Sequence, residues 1–107
     1  MVINPTEFQE AAYQIIGKTI PKHIDWFEIK AVVQIDFDTS SCVFTRLIAE
    51  DHGNFVHLEK AFDFWLHQCE DFDSPFEDAK EIYTSHLGDT LVSLIRDIVA
   101  YRTSRKE

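Results

Sequence analysis

Two cysteines, five histidines and a dense run of carboxylates are the side chains with which this chain could do chemistry. Cys42 or Cys69 set beside a histidine would give the thiolate–imidazole pair of a nucleophilic enzyme. Cys42, however, lies within the apolar run 41–49, and Cys69 closes an element, places where cysteine serves as a small hydrophobe. His67-x-Cys69, with His52 and His57 upstream, is the nearest approach to a zinc set, but neither Cys-x-x-Cys nor His-Glu-x-x-His spacing occurs. His23, His52, His57, His67 and His86 are therefore expected on surfaces and turns. Asp36-x-Asp38-x-Ser40 begins like a calcium loop, yet Ser41 stands at its sixth position and Leu47 at its twelfth. Asp71-x-Asp73-x-Pro75 also lacks the required glycine and closing glutamate. Gly17, Gly53 and Gly88 are isolated, so no phosphate cradle is built. The expectation is a protein without metal or cofactor that is not an enzyme, with a small Cys/His-dependent enzyme as the alternative from another class.

The constellation that stands out is the segment from Glu70 to Glu81. Six of its twelve residues are acidic, one is basic, and two phenylalanines sit among them. Glu70, Asp71, Phe72, Asp73, Phe76, Glu77 and Asp78 are the candidate partner-binding residues. Aromatic anchors inside a charged field are a common way to bind and select a protein partner. An acidic surface also mimics a phosphate backbone and can occlude the cationic cleft of a nuclease. Part of the pattern is ordinary helix capping, because carboxylates are stabilised by a helix N-terminus. Asp36 and Asp38 at one turn, and Glu50 and Asp51 at another, are secondary candidates expected at opposite ends of a sheet.

The whole chain carries the same sign. Nineteen acidic residues against ten basic ones give a formal charge of −9 and an isoelectric point near 4.9. Three of the basic residues, Arg102, Arg105 and Lys106, are crowded into the last six positions, where they suit a helix C-terminus. Such a field repels nucleic acid and anionic membranes and attracts basic proteins. No apolar run approaches the roughly 20 residues that cross a bilayer. The N-terminus has no secretory leader pattern, so reduced cysteines and a cytoplasmic location are expected.

At 107 residues, 45 % of them hydrophobic, the chain can build one core, and a single α+β domain over 1–107 is expected. Asn4, Pro5 and Glu7 cap a first helix whose stripe runs Phe8, Ala11, Ala12, Ile15, Ile16 and Ile20 before Pro21 stops it. Trp26 to Asp36 alternates with period two and predicts a half-buried strand. Ser41 to Ala49 is apolar on both sides and predicts a central strand, and Phe55 to Lys60 a third. Residues 61–69 fit either period, with helix favoured because Asp63, His67 and Gln68 gather on one side. Ser74 and Pro75 start a long stripe of Ala79, Ile82, Tyr83, Leu87, Leu91, Leu94, Ile95, Ile98 and Tyr101, which Gly88-Asp89 could interrupt. The predicted architecture is a three-stranded antiparallel meander with an N-terminal helix and C-terminal helices packed on one face.

This order resembles that of bacterial immunity proteins of polymorphic-toxin and contact-dependent growth-inhibition systems. The likeness rests on the capped first helix ending at Ile20-Pro21, the Trp26-led strand, the meander and the acidic body. It implies an inhibitor that neutralises one basic toxin domain, often a nuclease, as a monomer in a one-to-one complex. A small acidic secretion chaperone is the rival binding protein, and it would use the long helix as a homodimer seam.

Overall fold

The computed structural model describes residues 3–105; Lys106 lies outside the described residues. Helix α1 (Pro5–Thr19) starts as its sequence dictates, with the Asn4 side chain accepting from the Thr6 and Glu7 amides at 3.0 and 3.2 Å. Four strands follow, β1 (His23–Ile24), β2 (Phe27–Asp36), β3 (Cys42–Asp51) and β4 (Val56–Trp65). They form one antiparallel sheet in the order β1-β2-β3-β4. A 3₁₀ turn, η1 (Leu66–Cys69), leads to the helix α2 (Pro75–Arg105).

The meander is thus four-stranded rather than three-stranded. The added strand, β1, is two residues long and is too short for any period to announce it. It is created by a tight hairpin in which Asp25 and Trp26 both take positive φ, 50° and 73°. Two positive φ values in a two-residue loop match the right-handed twist of the flanking strands. Trp26 therefore tips a turn instead of leading a strand.

Residues 61–69 are also corrected. β4 runs to Trp65 in unbroken register with β3, from Val56 opposite Asp51 to Trp65 opposite Cys42. Phe62 and Phe64 point inward onto Tyr83 and Ala61 and Asp63 point outward, so the alternating period wins. Only Leu66 and Cys69, three apart and both buried, follow a helical spacing. In α2, Gly88 does not interrupt: one helix of 31 residues continues through it. A glycine costs about 1 kcal/mol within a helix, less than burying the stripe on either side returns.

Both helices lie on the same face of the sheet. α1 covers β2 and α2 covers β4, with a continuous core of Phe8, Ala12, Phe27, Val33, Val43, Leu47, Phe64, Tyr83, Leu87, Leu94 and Ile98 between. At the centre stands Tyr83, wholly buried. Phe8, Phe62 and Phe64 surround its ring at 5.5, 5.5 and 5.7 Å, the first and last edge-on. Its hydroxyl shares a 2.7 Å hydrogen bond with Thr45, also wholly buried.

Tyr83→Phe should cost about 1–3 kcal/mol, because the Thr45 hydroxyl is left buried without a partner. The Thr45→Val, Tyr83→Phe double variant should cost clearly less than the two single changes summed; urea denaturation measures both. Burial pushes the Tyr83 phenol up to about 12 from its ordinary value of 10.0, against the lowering effect of the Thr45 bond. The unfolded chain therefore loses this proton first as pH rises. Its stabilising contribution is whole below about pH 10 and disappears towards pH 12, a loss of up to about 2–3 kcal/mol. The stability gap between wild type and Tyr83→Phe should narrow over that window, and a constant gap would contradict the assignment.

Candidate functional site: the acidic end of the sheet

The register fixes which residues meet. Asp36, Cys42 and Trp65 are neighbours at one end of the sheet, and Glu28, Glu50 and His57 at the other. The η1 turn leaves β4 at the first end, so the Glu70–Asp78 segment emerges at the same end of the sheet as the Asp36–Ser41 turn. The Leu66 amide donates to the Ser41 carbonyl at 3.3 Å and so extends the β3–β4 ladder to that end. Asp36, Asp38, Asp63, Glu70, Asp71, Asp73, Glu77 and Asp78 thereby share one end. Among the described residues Lys80 is the one lysine or arginine there, tied to Glu77 at 3.1 Å and lying over the Phe76 ring at 5.3 Å. Sequence alone could not bring the Asp36 turn to this segment, because that needs β4 to extend to Trp65. Glu50 and Asp51 lie at the other end, as predicted.

The seven candidate residues divide by what they touch. Phe76 packs edge-on against Phe8 at 6.0 Å and belongs with the core. Asp78 reaches back to the Ser74 amide at 3.4 Å, a capping contact at the start of α2. Glu70 is half-buried, while Asp71, Asp73 and Glu77 are exposed. Phe72, with its amide held by the Cys69 carbonyl at 3.2 Å, remains 40 % exposed. Phe37, at the neighbouring turn, is 63 % exposed and was not among the candidates. Beside it opens a depression of about 730 Å³, lined by Gln34, Ile35, Asp36, Phe37, Asp38, Cys42, Phe44 and Asp63.

The thiols are placed for packing. Cys42 Sγ lies 3.7 Å from Asp63 Oδ1, and its pKa is raised by burial first and then by the Asp63 carboxylate. Burial and the charge of Asp78 raise Cys69 likewise. Neither sulfur has a histidine as hydrogen-bond partner among the described residues. The sheet face away from the helices carries an ion-pair lattice instead. Arg46 pairs with Glu59 at 2.7 Å, Lys30 with Glu50 at 3.4 Å, and His52 bridges Glu28 and Glu50 at 3.2 and 3.1 Å. The Arg46 hydrogen bond holds the Glu59 carboxyl below the usual range. Among the described residues no group of three or more His, Cys, Asp or Glu side chains could hold a metal ion. No described helix is long and apolar enough to cross a membrane.

The opposite end carries two exposed rings that pattern reading placed at the starts of strands. Trp26 is 84 % and Phe55 95 % exposed, each on a loop tip with positive φ. Compared with known proteins, the chain matches no family model, and neither curated proteins nor solved structures give a match.

Because both thiols are shielded and held protonated, native protein at neutral pH should react with iodoacetamide at least about tenfold more slowly than urea-unfolded protein. Thiol titration over time checks this, and a fast-reacting native cysteine would revive the nucleophilic reading.

Proposed function

We propose that this protein is an inhibitor of the immunity type, which binds a basic toxin domain through the acidic end of its sheet. The observation that carries the reading is that the Asp36–Asp38 turn and the Asp71–Glu77 segment lie at the same end of the sheet, each with an exposed ring, Phe37 and Phe72. An excess of carboxylates at one end would steer a cationic surface into place, and aromatic rings among them would supply apolar contact once water is displaced. A nuclease domain is the expected target, since its substrate cleft must already attract phosphates. The shielded thiols speak for a binder over a Cys/His enzyme.

The test begins by capturing the partner from the native cell lysate on immobilised protein and eluting it with salt. The expected result is one basic, folded protein whose activity falls to nothing at an equimolar ratio. Recovery of the protein alone, or of an acidic partner, would overturn the proposal. With the partner in hand, Asp38→Asn, Asp71→Asn, Asp73→Asn and Glu77→Gln combined should slow association at least about tenfold at low salt. The same four changes should lower the melting temperature by only a few degrees, because none of these side chains packs in the core and Glu77 alone acts at a helix end. Phe72→Ala should act chiefly by speeding dissociation.

A further inference from the structure

The sheet has two edges, and they are treated differently. In an antiparallel sheet alternate residues turn both backbone groups to one neighbour and then to the other. The Ile29 amide donates to the Lys22 carbonyl at 2.7 Å, so odd-numbered residues of β2 face away from β3. Val33 obeys the same parity: its amide donates to Tyr13 Oη at 3.0 Å and its carbonyl accepts from Gln9 Nε2 at 2.9 Å. β1 and α1 thus cover the β2 edge at Phe27, Ile29 and Val33. Carried across the register, this parity turns the even residues of β4 to β3, and the Leu66-to-Ser41 bond confirms it. His57, Glu59, Ala61 and Asp63 therefore direct their amides and carbonyls off the far edge. None of these groups has a protein partner among the described residues, and all four residues are exposed. Ala61 is exposed in mid-strand, whereas Ile48, on the same open face of β3, is buried. β4 is ten residues long and carries neither proline nor bulge, and the charges of Glu59, Lys60 and Asp63 are what mark its edge.

We propose that the free edge of β4 is a docking strand on which an extended segment of a basic partner adds as a fifth strand of the sheet. The partner's charge rests on the inhibitor reading above; the edge itself rests on the backbone parity. The incoming strand would set alternate residues beside Glu59 and Asp63 on the open face, where lysine or arginine fits. Its other residues would lie beside Leu58 and Phe62, both half-buried, where apolar side chains fit, and between them beside Lys60, whose charge is held by Asp97 at 3.1 Å. A second copy of the chain is the poorer occupant. The register that pairs residues 57–65 of two β4 strands puts Ala61 opposite Ala61 and Glu59 opposite Asp63 twice, joining bodies of charge −9 each.

Amide hydrogen exchange by NMR on the intact protein tests this, with a nine-residue peptide of alternating valine and lysine as the probe. In the free protein the amides of His57, Glu59, Ala61 and Asp63 should exchange at least about a hundredfold faster than those of Leu58, Lys60 and Phe62. Saturating peptide should slow the first set at least about tenfold, and the same peptide N-methylated at alternate residues should not. Equal protection of both sets in the free protein would overturn the proposal, as would slowing by the N-methylated peptide or no slowing at millimolar peptide. Salt-sensitive peptide binding that leaves these amides untouched sinks the docking strand while the acidic-end reading survives. Slowing that persists in the four-fold neutralised variant upholds the docking strand and removes the acidic end from its recognition.

Discussion

The buried contact between Tyr83 and Thr45 is the point on which the other elements depend. It joins the long helix to the central strand, and the ring that carries it is walled by α1 through Phe8 and by β4 through Phe62 and Phe64. A hydroxyl pair without access to water tolerates one arrangement, because each alternative leaves a polar group unsatisfied. The apolar stripe of α2 would pack on the sheet in several rotations about its axis. The Tyr83 hydroxyl selects the one that brings Leu87, Leu94 and Ile98 into line behind it. With α2 set, its N-terminus and the acidic loop before it can stand only at the Cys42–Trp65 end of the sheet.

That placement explains the charge polarity of the molecule. Both helices begin at the same end and run the same way, so the positive ends of their dipoles lie together. Carboxylates are least costly there, and cations are least costly at the far end, where Lys18 lies in the last turn of α1 and Arg102 bonds the Asp25 carbonyl at 2.7 Å. Ordinary helix electrostatics thus accounts for where Glu7, Glu77 and Asp78 sit. It does not account for Asp36, Asp38 and Asp63, which belong to strands and a hairpin and receive nothing from a helix end beyond its first turn. The excess over capping is the part of the charge that a partner could explain.

The sequence made the long-period elements legible and left the short ones hidden. The stripe from Ala79 to Tyr101 and the alternation from Phe27 to Ile35 each run far enough for burial to enforce the period. The rival reading at 61–69 arose because Phe62, Trp65, Leu66 and Cys69 fit a helix over too short a span to decide. The aromatic wall of Tyr83, supplied from another part of the chain, settled it for a strand. β1 and the exposed tips Trp26 and Phe55 depend on backbone φ values that nothing in their residue types suggests. Of the candidate site, Asp71, Phe72, Asp73 and Glu77 were readable as exposed. Phe76 and Asp78 were not separable from them, because an inward ring and a capping carboxylate look the same in a row of letters. Phe37 and Asp63 joined the site only when the strand register became known.

The two features left unspent by the fold differ in what each can contribute to binding. Charges at a solvated end act over about 8–10 Å at physiological salt and weaken once paired in water, so they govern encounter and selection more than lifetime. An open strand edge acts over hydrogen-bond distance and has no reach, but each bond it makes replaces one to water in a fixed geometry. Asp63 is common to both, since it lines the acidic depression and lies on the open edge. The acidic depression and the open strand edge therefore adjoin at Asp63 on one side of the molecule. Neither is needed for stability, because the core closes at Tyr83 without them.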